Sequence, residues 1–477
     1  MSYINPTPGQ LPIVGVGNLE GDTYYGKAIL SSFRECGINI AQFQIPDTQP
    51  RALETMGGTI VSPPILSFQG VTDKSDIFLF NNTWYSLDNG RVEKIRIMVR
   101  YAVPEKRVAI PGPEGSVPSY EKVPDWDRWQ ARWIEATSLF RNAVAFGGWM
   151  LGNQPTRDQF PEIRKASQAL ASNSPYLRFV NLLPCWAFQK NLTNYVAMTP
   201  EEMFTYLDYL YEFEEACDPQ VGATSMYAFR ENPDVVNHIY LEKDYFNQLY
   251  IGWRNSVNVD IPFWANIRVM THSYPENGDF SKSILSLEKF RFQAYTALAF
   301  GAQGLICWSM VERISDNASE NYYGAPLTVN CLRTPAFENL KSVLTEVRRY
   351  EQVFLGCKVL DIVYGSLPAG LMADGLECLN TFAAPIGCIS ALEYPGNSRS
   401  DEDKVPRPPV LVSHLENNGR EYTAVVNLNW VASESVRVIF SEAVRNLTSQ
   451  SDQIIPAQLV KDYTLAPSDW LIFEKVS

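Results

Sequence analysis

The chain has only three histidines, His238, His272 and His414, far apart and without ligand spacing, and its eight cysteines form no C-x-x-C pair. A metal centre is therefore not implied, and no cofactor is expected. Cys36, Cys185, Cys217, Cys307, Cys331, Cys357, Cys378 and Cys388 lie mostly in apolar runs, which reads as free buried thiols rather than a disulfide framework. No run reaches the roughly 18 consecutive apolar residues of a membrane span. The opening MSYINPTPGQLP lacks the charged and apolar regions of a secretory leader. The chain reads as soluble; a secreted or periplasmic setting stays open, because a leader could have been removed. No glycine-rich phosphate loop of either familiar spacing opens a helix. Positive charge is in deficit too. Forty Lys plus Arg against 53 Asp plus Glu give a net charge of −13, a field that repels polyanions and argues against nucleic acid or an anionic membrane as partner.

What is present is a packed globular composition over 477 residues, with 45% hydrophobic, 12% aromatic and 19% charged residues. From Pro12 to about Met310, short apolar runs alternate with longer stretches of helical period. Candidate strands occupy 11–18, 38–45, 58–66, 145–153, 177–184, 222–229, 261–270 and 302–310. Eight strand-helix units predict an α/β fold, a (β/α)8 TIM barrel over 1–355. Residues 70–125 read as a hairpin and a Pro/Gly-rich loop inserted between the third and fourth strands, although KIRIMVRYAV could itself be a barrel strand. After the helix at 339–354 the helical period disappears. Strand spacing with turn residues over 356–477 predicts a small all-β sandwich, with 396–409 as a loop within it.

In such barrels the reactive groups sit at the C-terminal ends of the strands. The fourth candidate strand ends GWMLGNQP, and here the chain resembles the large clan of barrel glycoside hydrolases, whose fourth strand commonly ends in Asn-Glu-Pro or Asp-Glu-Pro. It looks most similar to gut-bacterial glycosidase-like proteins with a C-terminal sandwich. The phrases LPIVGVGN, FPEIRKASQALASNSPYLRFVNLLP, IPFWANI, LEKFRFQAYTALAFGAQGLICW and PVLVSHLENNGREYTAVVN carry the likeness by their order and spacing. The resemblance implies an oligosaccharide or glycoside as ligand. It places Gln154 where the family has its general acid/base Glu, and Asn153 where the family contacts the sugar 2-hydroxyl. An amide cannot give up a proton, so catalysis is expected to be impaired or atypical. The alternative for both residues is a cap on the following helix.

The second carboxylate of the family is expected at the end of the seventh strand. PFWANIRVMTHSYPENG offers Asn266 and Arg268 there, with Glu276 only in the loop beyond. Other strand-end acids are Glu20, Asp22, Asp47, Glu231 and Glu312. Tyr227 and Trp308 resemble family aromatics that pack on the sugar, and Trp149, Trp186 and Trp264 are alternative wall residues or core. Arg230, Arg268 and Arg313 could hydrogen-bond hydroxyls or a uronate, or neutralise acids. Two readings follow. One is a hydrolase that has moved its acid to Glu231, Glu276 or Glu312; the other is a non-catalytic carbohydrate-binding relative.

Overall fold

The computed structural model describes residues 3–17, 26–45, 77–80, 83–86, 95–101, 103–110, 119–140, 146–171, 176–188, 199–231, 239–273, 285–313, 321–366, 378–383, 385–395 and 407–476, some of them by main chain only. Eight strands close into a barrel: β1 Ile13–Gly17, β2 Ile40–Ile45, β3 Arg96–Tyr101, β4 Phe146–Asn153, β5 Leu177–Leu182, β6 Gly222–Thr224, β7 Phe263–Arg268 and β8 Gly304–Trp308. Every neighbouring pair is parallel, including β8 with β1, which closes the ring. Such strands are apolar on both faces because both are covered. Val14, Val16, Ile40, Met98, Met150, Leu177, Phe179, Ala223, Trp264 and Ile306 fill the interior. Their strand neighbours pack outward against the helices.

The described helices are α1 Gly26–Glu35, α2 Trp126–Phe140, α3 Phe160–Ala171, α4 Pro200–Cys217, α5 Tyr245–Val259, α6 Leu287–Ala299, α7 Pro335–Arg349 and the single turn α8 Glu351–Phe354. Their starts are written locally. Before α4, the Thr199 hydroxyl accepts from the Glu202 N–H while Glu202 Oε2 accepts from the Thr199 N–H at 2.9 Å, with Pro200 as first helical residue.

The third barrel strand differs from the first-choice reading. RIMVRY (96–101) takes that place, in register with β2 from Ile40↔Arg96 to Ile45↔Tyr101, whereas 58–66 lies outside the described residues. The stretch 70–125 is therefore not one insertion between the third and fourth strands. The hairpin Ile77–Phe80 with Thr83–Ser86 precedes β3, and a second hairpin, Glu105–Ile110 with Ser119–Pro124, follows it. Two arginines disguise β3 as a surface strand, yet Met98 between them is fully buried in the barrel.

Beyond α8 the chain builds a seven-stranded and a three-stranded sheet, an all-β sandwich as expected; most of the acidic loop at 396–409 lies outside the described residues. At the centre of the larger sheet are Val410–Asn417, Arg420–Asn427 and Trp470–Lys475, paired antiparallel. Alternation decides what each face touches. Leu411, Leu415, Tyr422, Ala424, Val426 and Ile472 join the core shared with the barrel helices. Val410, Val412, Val425 and Phe473 join Val436, Val438 and Phe440 of the smaller sheet.

The barrel-facing side is pinned by Trp470. Its ring stacks on Tyr295 of α6 at 3.9 Å and on Phe354 at 5.3 Å. Its Nε1 donates to Glu346 Oε1 at 3.0 Å, and the same carboxylate accepts from the Tyr295 hydroxyl at 2.6 Å. Nearby, Asn417 Nδ2 donates to the carbonyls that end α8, 2.8 Å from Gln352 O and 2.9 Å from Leu355 O. All eight cysteines are free thiols. Among the described residues no helix is long and apolar enough to cross a membrane.

Candidate functional site

The parallel ring brings the C-terminal ends of all eight strands to one face. On β4 the pairing register shifts between Met150 and Gly152, and this bulge turns Asn153 towards its neighbour on β5. Asn181 Nδ2 donates to Asn153 Oδ1 at 2.8 Å and to the Ser225 hydroxyl. Asn181 Oδ1 in turn accepts from Asn266 Nδ2 at 3.0 Å, and the same Nδ2 donates to the Thr224 carbonyl. A hydrogen-bonded ladder therefore runs across these strand ends, with carboxamides from β4, β5 and β7 and the Thr224 carbonyl and Ser225 hydroxyl from the end of β6. Asn266 is buried, and its Oδ1 has no hydrogen-bond partner among the described residues.

Gln154 follows at once in the left-handed region, φ 55°, with its N–H donating to the Asn181 carbonyl at 2.6 Å and its side chain exposed. Neither Asn153 nor Gln154 is the helix cap. That place belongs to Thr156, which caps the short 3-10 turn Arg157–Gln159 leading into α3 and whose N–H donates to Gln159 Oε1 at 3.3 Å. Pro155 between them is held by the Tyr209 hydroxyl, 2.7 Å from its carbonyl.

On β7, Trp264, Asn266 and Arg268 share the interior face by the two-residue period. Trp264 sits deepest, wholly buried against Phe179 with ring centroids 5.6 Å apart. It offers no surface to a ligand and is barrel core. Arg268, at the strand's end, is buried as well. Its Nη1 donates to the Phe229 carbonyl at 2.6 Å and its Nε to the Met270 carbonyl at 2.9 Å, while its own main chain is clasped by the Gln293 amide at 2.9 and 3.0 Å. Two of the guanidinium's donors are thus spent on main-chain carbonyls.

Trp308 ends β8, across the ring from β4, half-buried between the barrel interior and Tyr322, whose ring lies edge-on at 6.1 Å. The Trp308–Ser309 peptide is cis. Beyond it, Glu312 Oε1 accepts from the Gly324 N–H at 3.0 Å, and burial pushes this carboxyl's pKa up against the lowering effect of that bond. The loops after β7 and β8 are laced together by antiparallel pairing of Thr271–Ser273 with Asn321–Tyr323.

Tyr227 is half-buried just beyond β6, and Glu231 closes the short strand Phe229–Glu231, paired with Ile239–Leu241. The side chains of Glu231, Arg230 and Trp186 lie outside the described residues, as do Glu276, Glu20, Asp22 and Asp47 altogether. Trp149 is helix-facing core, its ring 5.2 Å from Trp133 of α2.

Charge completes the description. The eight barrel strands contain no Asp or Glu, and their charged residues are all arginines: Arg96, Arg100, Arg178 and Arg268. Burial pulls Arg100, near the end of β3, down to a pKa of about 10. Asn181 and Ser225 were not singled out from sequence, although a lone amide in the apolar run LRFVNLL was a visible signal. The arrangement can donate and accept hydrogen bonds to neutral groups; from its strands it can supply no proton.

The architecture matches solved structures at low identity. A β-galactosidase from Bacillus circulans sp. alkalophilus is 10% identical, with 99% of this chain and 100% of that chain covered at a TM-score of 0.50. A structure described as a glycoside hydrolase is 11% identical, with 100% and 99% covered at 0.52. The likeness is one of fold: a (β/α)8 barrel followed by an all-β sandwich, shared with these two structures. No protein-family model and no curated protein sequence matches the chain.

Proposed function

We propose that the C-terminal face of the barrel is a carbohydrate-binding cleft on a glycoside hydrolase scaffold, with hydrolysis impaired by the loss of its acid pair. One observation carries the reading: β4 delivers Asn153 and Gln154, and β7 ends in an arginine bound to main-chain carbonyls. Glycoside hydrolysis needs two carboxyl groups, about 5–5.5 Å apart for retention or ~6.5–9.5 Å for inversion. Loss of the general acid alone costs on the order of 10²–10⁴ in rate. Binding does not need that acid. Hydroxyls suit the carboxamides, and the half-buried Trp308 and Tyr227 supply flat walls for the apolar face of a pyranose. One fold neighbour is a β-galactosidase, so galactosides head the compounds to try.

Glu312 supports a second reading. Its pKa is raised by desolvation, the direction a general acid requires. Calorimetric titration with galactosides, cellobiose and mannobiose, beside release from aryl glycosides, separates the two. Saturable binding without release, in the wild type and in Gln154→Glu alike, is expected, because β7 still lacks a carboxylate. Brisk release abolished by Glu312→Gln would establish the second reading, and no binding of any glycoside would overturn both.

A further inference from the structure

We infer that the sandwich completes the cleft: Trp430, on the loop joining its two sheets, is a positioning residue that holds the rim strand Phe229–Glu231 and the neighbouring Tyr227 in place. Phe229 is the pivot, two residues from Tyr227 and two from Glu231, and it is wholly buried. Its ring meets Trp430 at 5.4 Å and Phe292 of α6 at 5.4 Å, and Trp430 meets Phe292 at 5.3 Å, so three rings from three parts of the chain close on one another. Lys289 Nζ stands 5.8 Å from the Phe229 ring centre. From the barrel side, Arg268 Nη1 holds the Phe229 carbonyl at 2.6 Å. The strand is gripped by its side chain from the sandwich and by its main chain from β7.

A grip of this kind requires a stiff arm, and the loop is stiff. The Asn427 side chain, in a fully buried residue, donates to the Ala466 carbonyl at 2.9 Å and accepts from the Asn429 N–H at 2.9 Å. Asn429 Oδ1 accepts from the N–H groups of Val431 at 3.0 Å and Ala432 at 2.9 Å, and its carbonyl accepts from the Ser468 N–H at 3.0 Å. Three main-chain donors of the turn, those of Asn429, Val431 and Ala432, are satisfied by short polar side chains. Trp430 is presented from a fixed base, outside the sandwich strands themselves.

The inference rests on the proposed cleft only for the role of Tyr227; the mechanical coupling stands apart from it. Amide exchange in the full chain tests the coupling with no ligand. In Trp430→Ala, the amides of 229–231 and 239–241 should exchange about tenfold faster or more, with β4, β5 and the sandwich strands unchanged, and Trp430→Phe should restore most of the protection. Unchanged exchange at 229–231, or the same acceleration throughout the molecule, would overturn the inference. Should Trp430→Ala not fold, Trp430→Leu compared with Trp430→Phe gives the same reading. Methyl β-galactoside is the binding probe: its affinity should fall in Trp430→Ala and return in Trp430→Phe. Failure of any glycoside to bind the wild type would count against the cleft, while the exchange result would still decide the role of Trp430.

Discussion

Asn266 Nδ2 donates to Asn181 Oδ1 at 3.0 Å, and it spends its other proton on the Thr224 carbonyl. Position 266 is written for a donor. The sequence resemblance leads one to expect a carboxylate on this strand, yet here an acceptor-only group would face two acceptors, Asn181 Oδ1 and the Thr224 carbonyl.

Asn266→Asp should therefore be a poor way to place a carboxylate on this strand. The introduced acid is expected to keep its proton well above the ordinary Asp range, because only the neutral form can donate. With the folded pKa raised, the unfolded chain loses its proton first. Stability relative to wild type should fall from about pH 4 upward and level off above the folded pKa, a loss of roughly 2–4 kcal/mol at neutral pH. Urea unfolding of both proteins from pH 4 to 8 measures it; a deficit that does not grow with pH would contradict this account.

Arg268→Gln should cost roughly 2–4 kcal/mol, since a neutral, shorter side chain leaves the Phe229 and Met270 carbonyls buried without their charged donor. Chemical denaturation gives the number. A variant as stable as the wild type would mean that those two bonds contribute little.

Glu312→Gln addresses the raised carboxyl beside Gly324. Because its folded pKa lies above the unfolded value, wild-type stability is eroded as pH rises past about 4.5 through the folded pKa. The variant should match the wild type near pH 4 and gain on it towards pH 8, a trend read from melting temperatures across that range.

Trp470→Ala removes a ring stacked between Tyr295 and Phe354 and strips Glu346 of one of its donors. A loss of about 3–5 kcal/mol is expected for such a truncation. Because the contact joins the two domains, calorimetry should show barrel and sandwich moving down in temperature together.

The barrel was legible because its strands are continuous apolar runs with helical segments between them. Phe146–Asn153 and Leu177–Leu182 lie within the expected 145–153 and 177–184. The third strand escaped the first choice because Arg96 and Arg100 break its apolar character. At the site, the sequence itself shows Gln154, Asn266 and Arg268 at the strand ends where the resemblance leads one to expect acids. Depth could not: Trp264 looks like a wall residue in the phrase PFWANIR, but two steps of the strand period place it beneath Asn266 and Arg268, inside the packed interior. Nor could hydrogen-bond allegiance be read. Nothing in the sequence says that Arg268 will hold Phe229 or that Asn181 will gather three side chains, because those choices depend on which loops meet at the rim.

The larger sheet of the sandwich is greasy on both sides, Leu411, Tyr422 and Ile472 towards the barrel helices and Val412, Val425 and Phe473 towards the smaller sheet. It is not a portable module. Severed from the barrel it would display one of those sides to water and stick to itself, so attempts to transplant it onto another protein, or to produce either half alone, should yield aggregates.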